Sequence, residues 1–285
     1  MQHFGGLDAD KAAQRHPQLN VRFPLSVSLI RTEKRDVTLG ETMPRILVTG
    51  ASGRIGQAFF AAFQEQYDFV LTDLNEPEYP VSGPHRFVQS DLTDANASDT
   101  LCQGIDEVVH LAGVPDPDAA FADVLPANIL ATTYLIEAAR KASVSHFVYA
   151  SSAQTIEGYP VDRQIVSGMA VAPANLYGVS KCYGEALCSL YATKHGMSCV
   201  SLRIGSFEPA DGPPLETKRD LSAWLSHRDA THLIDRAIQA EINGSFIAHG
   251  ISDNRFKRLD LTETCKVLGY APQDDAFSTF PIPTS

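Results

Sequence analysis

The chain has 285 residues, 44% of them hydrophobic and 20% charged, with a formal net charge of −11. That is a globular composition, long enough for one α/β domain or for one domain with a small lobe. The acidic balance argues against nucleic acid or an anionic membrane as partner, and no run of about 18 apolar residues offers a transmembrane helix.

Residues 1–43 differ in character from the rest of the chain. The first 42 carry six Lys/Arg against five Asp/Glu and show little periodicity beyond the short apolar run FPLSVSLI. A disordered arm, a targeting segment and an upstream start codon chosen in error are the alternatives. The acidic residues and the lack of a long apolar stretch weaken the targeting reading, so a flexible or artefactual extension is expected.

From Arg45 onward, short apolar strands alternate with amphipathic helices. RILVTG (45–50) leads into a helix through GQAFFAAFQE, followed by DFVLTD (68–73), RFVQSD (86–91) and DEVVHLAG (106–113). A helix through ANILATTYLIEAARKA, the strand HFVYASS (146–152), a helix through NLYGVSKCYGEAL and the strand SCVSLRIG (198–205) complete this part. Strands apolar on both faces belong to a parallel sheet covered by helices, and their regular alternation predicts a doubly wound α/β fold of the Rossmann type. The last 80 residues hold fewer elements. Ser226 with Asp229, and Asp260 with Glu263, are N-terminal capping pairs, and Gly269 is a helix stop. The expected organisation is a dinucleotide-binding core at 44–205 and a small substrate-binding C-terminal region at 206–285.

Gly50, Gly53 and Gly56 lie between a strand and a helix. Glycines there permit a tight turn and close backbone approach to a pyrophosphate, which the helix N-terminus then attracts. Asp73 ends the second strand, 23 residues after Gly50. A carboxylate there binds ribose hydroxyls and repels a 2′-phosphate, which favours NAD over NADP; Arg54 is the one residue arguing otherwise. Asp91 is placed to meet the adenine edge. Tyr177 and Lys181 stand four residues apart on one helix face, so their polar heads can converge, and an ammonium beside a phenol is expected to lower its pKa.

The five cysteines (Cys102, Cys182, Cys188, Cys199 and Cys265) are odd in number and form no Cys-x-x-Cys pair. Neither a disulfide framework nor a zinc ribbon is indicated; free, buried thiols in a reducing cytoplasm are expected. The histidines show no ligand spacing, and no metal is assigned.

Taken in order, the glycine triplet, Asp73, SDL (90–92), HLAG (110–113), Asn128, ASS (150–152) and Tyr177-x-x-x-Lys181 resemble the extended short-chain dehydrogenase/reductases of the NAD-dependent epimerase/dehydratase family. The resemblance implies Ser152, Tyr177 and Lys181 as the catalytic set. Tyr177 would exchange the proton, Ser152 would hold the substrate oxygen, and Lys181 would bind the nicotinamide ribose. Asn128 would anchor the central helix. It further implies that Ile55, Leu92, Leu111, Ala112, Gly113, Asn128 and Ile204, with Tyr177 and Lys181, join the glycines, Arg54, Asp73 and Asp91 around NAD.

LYGVSKCYGE, RIGS (203–206), LSAWLSHRDATHLI (221–234) and GISDN (250–254) narrow the resemblance to uronate dehydrogenases and related NAD-dependent glucose-6-phosphate dehydrogenases. These oxidise the anomeric carbon of a free sugar to a lactone. Ser152, Gln154, Ser206 and Arg219 would then touch the sugar, Arg219 as the cation for a carboxylate or phosphate. One departure bears on specificity: the group's Asn-His after the serine is Ala153-Gln154 here, and Pro115 replaces a serine. An epimerase or dehydratase with internal NAD redox and a non-catalytic dinucleotide sensor are the alternatives. Expected partners are a small sugar and another copy of the chain in a homo-oligomer.

Overall fold

The computed structural model describes residues 43–212 and 215–282. The expected extension at 1–43 therefore lies, save for Met43, outside the described residues. Seven strands form one sheet: β1 (Arg45–Thr49), β2 (Asp68–Asp73), β3 (Arg86–Gln89), β4 (Glu107–His110), β5 (His146–Ser152), β6 (Ser198–Ile204) and β9 (Ser245–Gly250). Their order is β3-β2-β1-β4-β5-β6-β9, and every pairing is parallel. A short parallel pair, β7 (Ser206–Phe207) with β8 (Trp224–Leu225), stands apart from it, with α6 (Lys218–Ala223) between the two in the chain. Strand order reverses between β1 and β4, which opens a crevice at their carboxyl ends, the usual ligand position in such sheets.

Side-chain alternation along the strands builds two cores. Ile46 and Val48 of β1, with Phe69 and Leu71 of β2, pack against Phe59 and Phe60 of α1 (Arg54–Phe63) and Leu233 and Ile234 of α7 (His227–Gln239). Leu47 and Val70 point the other way, toward α2 (Ala95–Leu101), α4 (Ala131–Lys141) and α5 (Leu176–His195). With both faces covered, the strands can be apolar throughout. Cys102, Cys188 and Cys199 sit in this second core as small apolar groups.

Two local departures from expectation have clear causes. The helix entering through ANILATT is preceded by α3 (Phe121–Val124) and widens to a π-turn at Leu125–Leu130, where Pro126 has no N–H to give. Strand β9, formed by SFIAHG, is absent from the expected elements: only its second half is buried, as befits an edge strand. Among the helix ends, Ser226 caps α7 by accepting from the Asp229 N–H at 3.1 Å. Asp229 does not reciprocate but accepts from the Gln273 and Asp274 N–H groups, tying down the chain beyond α8 (Thr262–Leu268). Asp260 accepts from the Thr262 N–H at the start of α8, and Gly269 closes that helix with φ +67°. Among the described residues no helix is long and apolar enough to cross a membrane.

Candidate active site

A cavity of about 1050 Å³ opens at the switch point between β1 and β4. Its floor is the turn from β1 into α1. Gly50 has φ +70°, and a Cβ there would stand 2.6 Å from the Ala112 nitrogen. A Cβ on Gly56 would stand 2.6 Å from the Gly50 carbonyl, so α1 could not seat against the turn. No side chain caps α1, whose N-cap is Gly53. Its first N–H groups and positive dipole end therefore face the cavity without a competing partner from a capping side chain. Arg54 and Ile55 line the same wall, and Leu92, Leu111, Ala112, Gly113 and Ile204 line the cavity further on.

Asp73 closes β2 and is aimed by two backbone donors, Ser52 N at 3.0 Å and Asn75 N at 3.3 Å. This fixes a carboxylate at the cavity edge without neutralising it. Asp91 accepts from both the amide and the hydroxyl of Thr93, and these bonds hold it below the ordinary carboxylate range.

The chemistry-bearing side chains converge from β5 and α5. Ser152 ends β5 and lines the cavity together with Tyr177 and Lys181. Asn175 positions the helix, its side chain accepting from the Gly178 N–H at 2.7 Å. One turn on, the Lys181 ammonium donates to the Ala150 carbonyl at 2.8 Å and lies 5.1 Å from the Tyr149 ring centroid and 5.6 Å from that of Tyr177. Burial, which leaves Lys181 only 5% exposed, brings its pKa down to about 8. His110 lies behind it, between the Thr49 and Thr132 hydroxyls. Burial first, and the Lys181 charge second, push His110 down to about 3, so it stays neutral.

Tyr177 behaves differently from the sequence expectation. Its burial raises the phenol above its ordinary pKa, while the Ser152 hydrogen bond pulls the other way. The ammonium is turned onto Ala150, and the desolvation of a 7%-exposed ring dominates. Asn128 does not line the cavity. It is buried in the π-turn, donating to the Ser180 hydroxyl at 2.9 Å and the Val114 carbonyl and accepting from the Val114 N–H at 2.8 Å. It thereby clamps α5 to the loop after β4 by direct contact. Beneath Ser152, the Glu185–Arg203 pair is buried, with two bonds of 2.8 Å, and Glu185 also accepts from Ser151 at 2.6 Å.

Gln154, Ser206 and Arg219 line the far end of the cavity, as does Pro115. The Gln154 carbonyl oxygen is held by Asn175 at 2.8 Å. Arg219 donates to Ser206 Oγ at 2.9 Å and to Asp220 at 3.2 Å, and forms an ion pair with Glu157. Across the mouth, Arg54 pairs with Glu208 at 2.7 Å and lies over the Phe207 ring. Glu157, Glu208 and Asp220 are not among the expected site residues. Glutamates in loops carry no periodic signal, and Arg54 and Glu208 are separated by 154 positions.

A doubly wound parallel sheet with a glycine turn, a strand-end carboxylate and a Ser/Tyr/Lys cluster on one cavity defines a Rossmann-type protein. The chain belongs to the NAD dependent epimerase/dehydratase family, whose model matches residues 46–246. It is 36% identical over 234 residues to the uronate dehydrogenase of Pseudomonas putida, covering 81% of this chain and 85% of that protein. The NAD-dependent glucose-6-phosphate dehydrogenase of Haloferax volcanii is 36% identical over 247 residues, covering 81% of this chain and 94% of its own. A crystal structure of a mutant uronate dehydrogenase from Agrobacterium tumefaciens complexed with NAD superposes with a TM-score of 0.76 at 34% identity, over 85% of this chain and 92% of that one.

Proposed function

We propose that the chain is an NAD-dependent oxidoreductase that oxidises the anomeric carbon of a sugar to a lactone. The names of its relatives give uronates, glucose 6-phosphate and L-arabinose as substrates. The observation that carries the reading is the convergence of Ser152, Tyr177 and Lys181 on the same cavity as the uncapped α1 N-terminus and Asp73. NAD fits these residues: the Gly50–Gly56 turn and α1 would hold its pyrophosphate, Asp73 its adenosine ribose, and Lys181 its other ribose. Bound there, it supplies the hydride acceptor.

The chain's own residues supply positioning and proton transfer. Ser152 holds the C1 hydroxyl, and Tyr177 takes its proton. The phenol's raised pKa means that ionising Tyr177 needs positive charge nearer to it than the Lys181 ammonium, which is turned onto Ala150. Ser152 and Tyr177 then hydrogen-bond the oxygen on which charge develops. Residues 44–205 carry the dinucleotide in this reading and residues 206–285 contribute the sugar contacts, in the cytoplasm. Exposed Val179, Tyr183 and Leu190 on α5 support pairing of two copies through that face.

An internal-redox epimerase or dehydratase is less supported, because a dehydratase needs an acid beside its serine and Ala153 stands there. The test is NADH formation by purified protein with NAD and free sugars, with Tyr177→Phe as control. Turnover abolished by the substitution is expected. Tightly retained NAD with no net NADH would instead favour internal redox, and NAD binding without any turnover would favour a sensor.

A further inference from the structure

The charge balance at the sugar end of the cavity narrows the substrate. Arg219 is the cation that the family resemblance assigns to a carboxylate or phosphate, yet its guanidinium is already engaged. Both Nη1 hydrogens are taken, one by Ser206 and one by Asp220, and Nη2 is paired with Glu157. An end-on grip on an incoming carboxylate needs one hydrogen from each terminal nitrogen, and Nη1 has none to give, so only the edge carrying Nε is left. Burial opposes the positive charge, but the Glu157 and Asp220 carboxylates outweigh it and hold Arg219 above its ordinary pKa.

Glu157 does not line the cavity; it backs Arg219 from behind, with its side chain 16% exposed. The other cavity-lining cation here, Arg54, is paired with Glu208, and Arg258, outside the lining, is engaged by the Pro160 and Tyr159 carbonyls. Of the side chains that line this end, Arg54 and Arg219 are matched by Glu208 and Asp220, while Glu157 and Arg258 act on Arg219 from outside the lining with opposite sign. A sugar carboxylate or phosphate would meet Asp220 and an Arg219 whose charge is already matched by Glu157, with little net attraction left. A hydroxyl suits the same surface, because it can donate to Asp220 and accept from the remaining Arg219 hydrogens.

We propose that the substrate is an uncharged aldose and that Glu157 sets this preference by neutralising Arg219. The proposal rests on the oxidoreductase reading and narrows it. It is tested by measuring kcat/KM with saturating NAD for neutral aldoses (galactose, glucose, arabinose, xylose) and for glucuronate, galacturonate and glucose 6-phosphate. Wild type should favour the best neutral aldose over every anion by about tenfold or more, the equivalent of about 1.4 kcal/mol. Glu157→Gln, which keeps the side-chain shape and removes its charge, should shift the anion-to-neutral ratio by about tenfold toward anions.

Wild type that prefers a uronate or glucose 6-phosphate overturns the substrate assignment while leaving the oxidoreductase reading intact. This arm needs no variant to fold. A soluble Glu157→Gln protein with an unchanged ratio overturns the role of Glu157. Silence on every sugar overturns both readings together.

Discussion

Relative to wild type, Lys181→Met should favour the cofactor-free fold more near neutral pH than in alkali, because the native chain carries a buried charge at a cost. Lys181 falls from its ordinary 10.5 to about 8 through burial. At about 1.4 kcal/mol per pH unit, that difference corresponds to about 3 kcal/mol. The direction follows from proton counting. Between pH 8 and 10.5 the unfolded chain holds the lysine proton and the folded chain has released it, so wild-type stability rises with pH across that window. Below about pH 8 both states are protonated, and the full destabilisation is present. Methionine removes the titration. It also removes the bond to the Ala150 carbonyl and changes packing against Tyr149; the part of those losses that depends on charge is already contained in the shifted pKa. Urea unfolding of wild type and Lys181→Met, without NAD, at about pH 7, 8, 9 and 10 measures the effect. The wild-type-minus-variant difference should climb by about 2 to 3 kcal/mol toward pH 10. A flat or falling difference would refute the reasoning.

Arg203→Leu leaves the buried Glu185 carboxylate without its cation and should cost about 3 to 5 kcal/mol in urea unfolding, while adding Glu185→Leu should recover most of it. A single-substitution loss below about 1 kcal/mol would show that the pair is not the desolvated one described. Asp73→Ala should weaken NAD binding and strengthen NADP binding, changing the ratio of dissociation constants by about tenfold or more in fluorescence titration; an unchanged ratio would remove Asp73 from cofactor choice. Val179→Glu places a charge on the exposed α5 stripe, and sedimentation should show a shift from dimer to monomer. A wild type that sediments as a monomer would exclude that face as an interface.

The parts of this protein written in local sequence are those governed by local rules. Strands such as RILVT and HFVYASS are continuous apolar runs because both sheet faces are covered, and the glycine turn is legible because Gly50 and Gly56 have no sterically allowed substitute. Asp73 and Tyr177-x-x-x-Lys181 follow from fixed spacing along a strand end and a helix. What escaped depends on distant partners. SFIAHG reads as neither a full strand nor a helix, because an edge strand buries only part of itself. Glu157 acquires meaning only when the chain brings Arg219 beside it, 62 residues later. The direction of the Tyr177 pKa escaped for a related reason: spacing gives the proximity of an ammonium, whereas desolvation is a property of the whole packed environment.

The placement of β9 bears on how such a protein can change. This strand comes late in the chain, yet it closes the sheet beside β6, directly behind the element that ends at Ile204 and leads to Ser206. A truncation after residue 205 would bare one edge of β6 from Cys199 to Ile204. The segment between β6 and β9, to which the proposed function gives the sugar contacts, is thus stitched into the scaffold at both ends, as an insert whose exit is a structural beam. Grafting a foreign substrate region onto this core would require replacing that beam in register, residue for residue. Altered sugar preference is therefore reached most directly by point substitution within the existing segment, as at Glu157, rather than by exchange of a module.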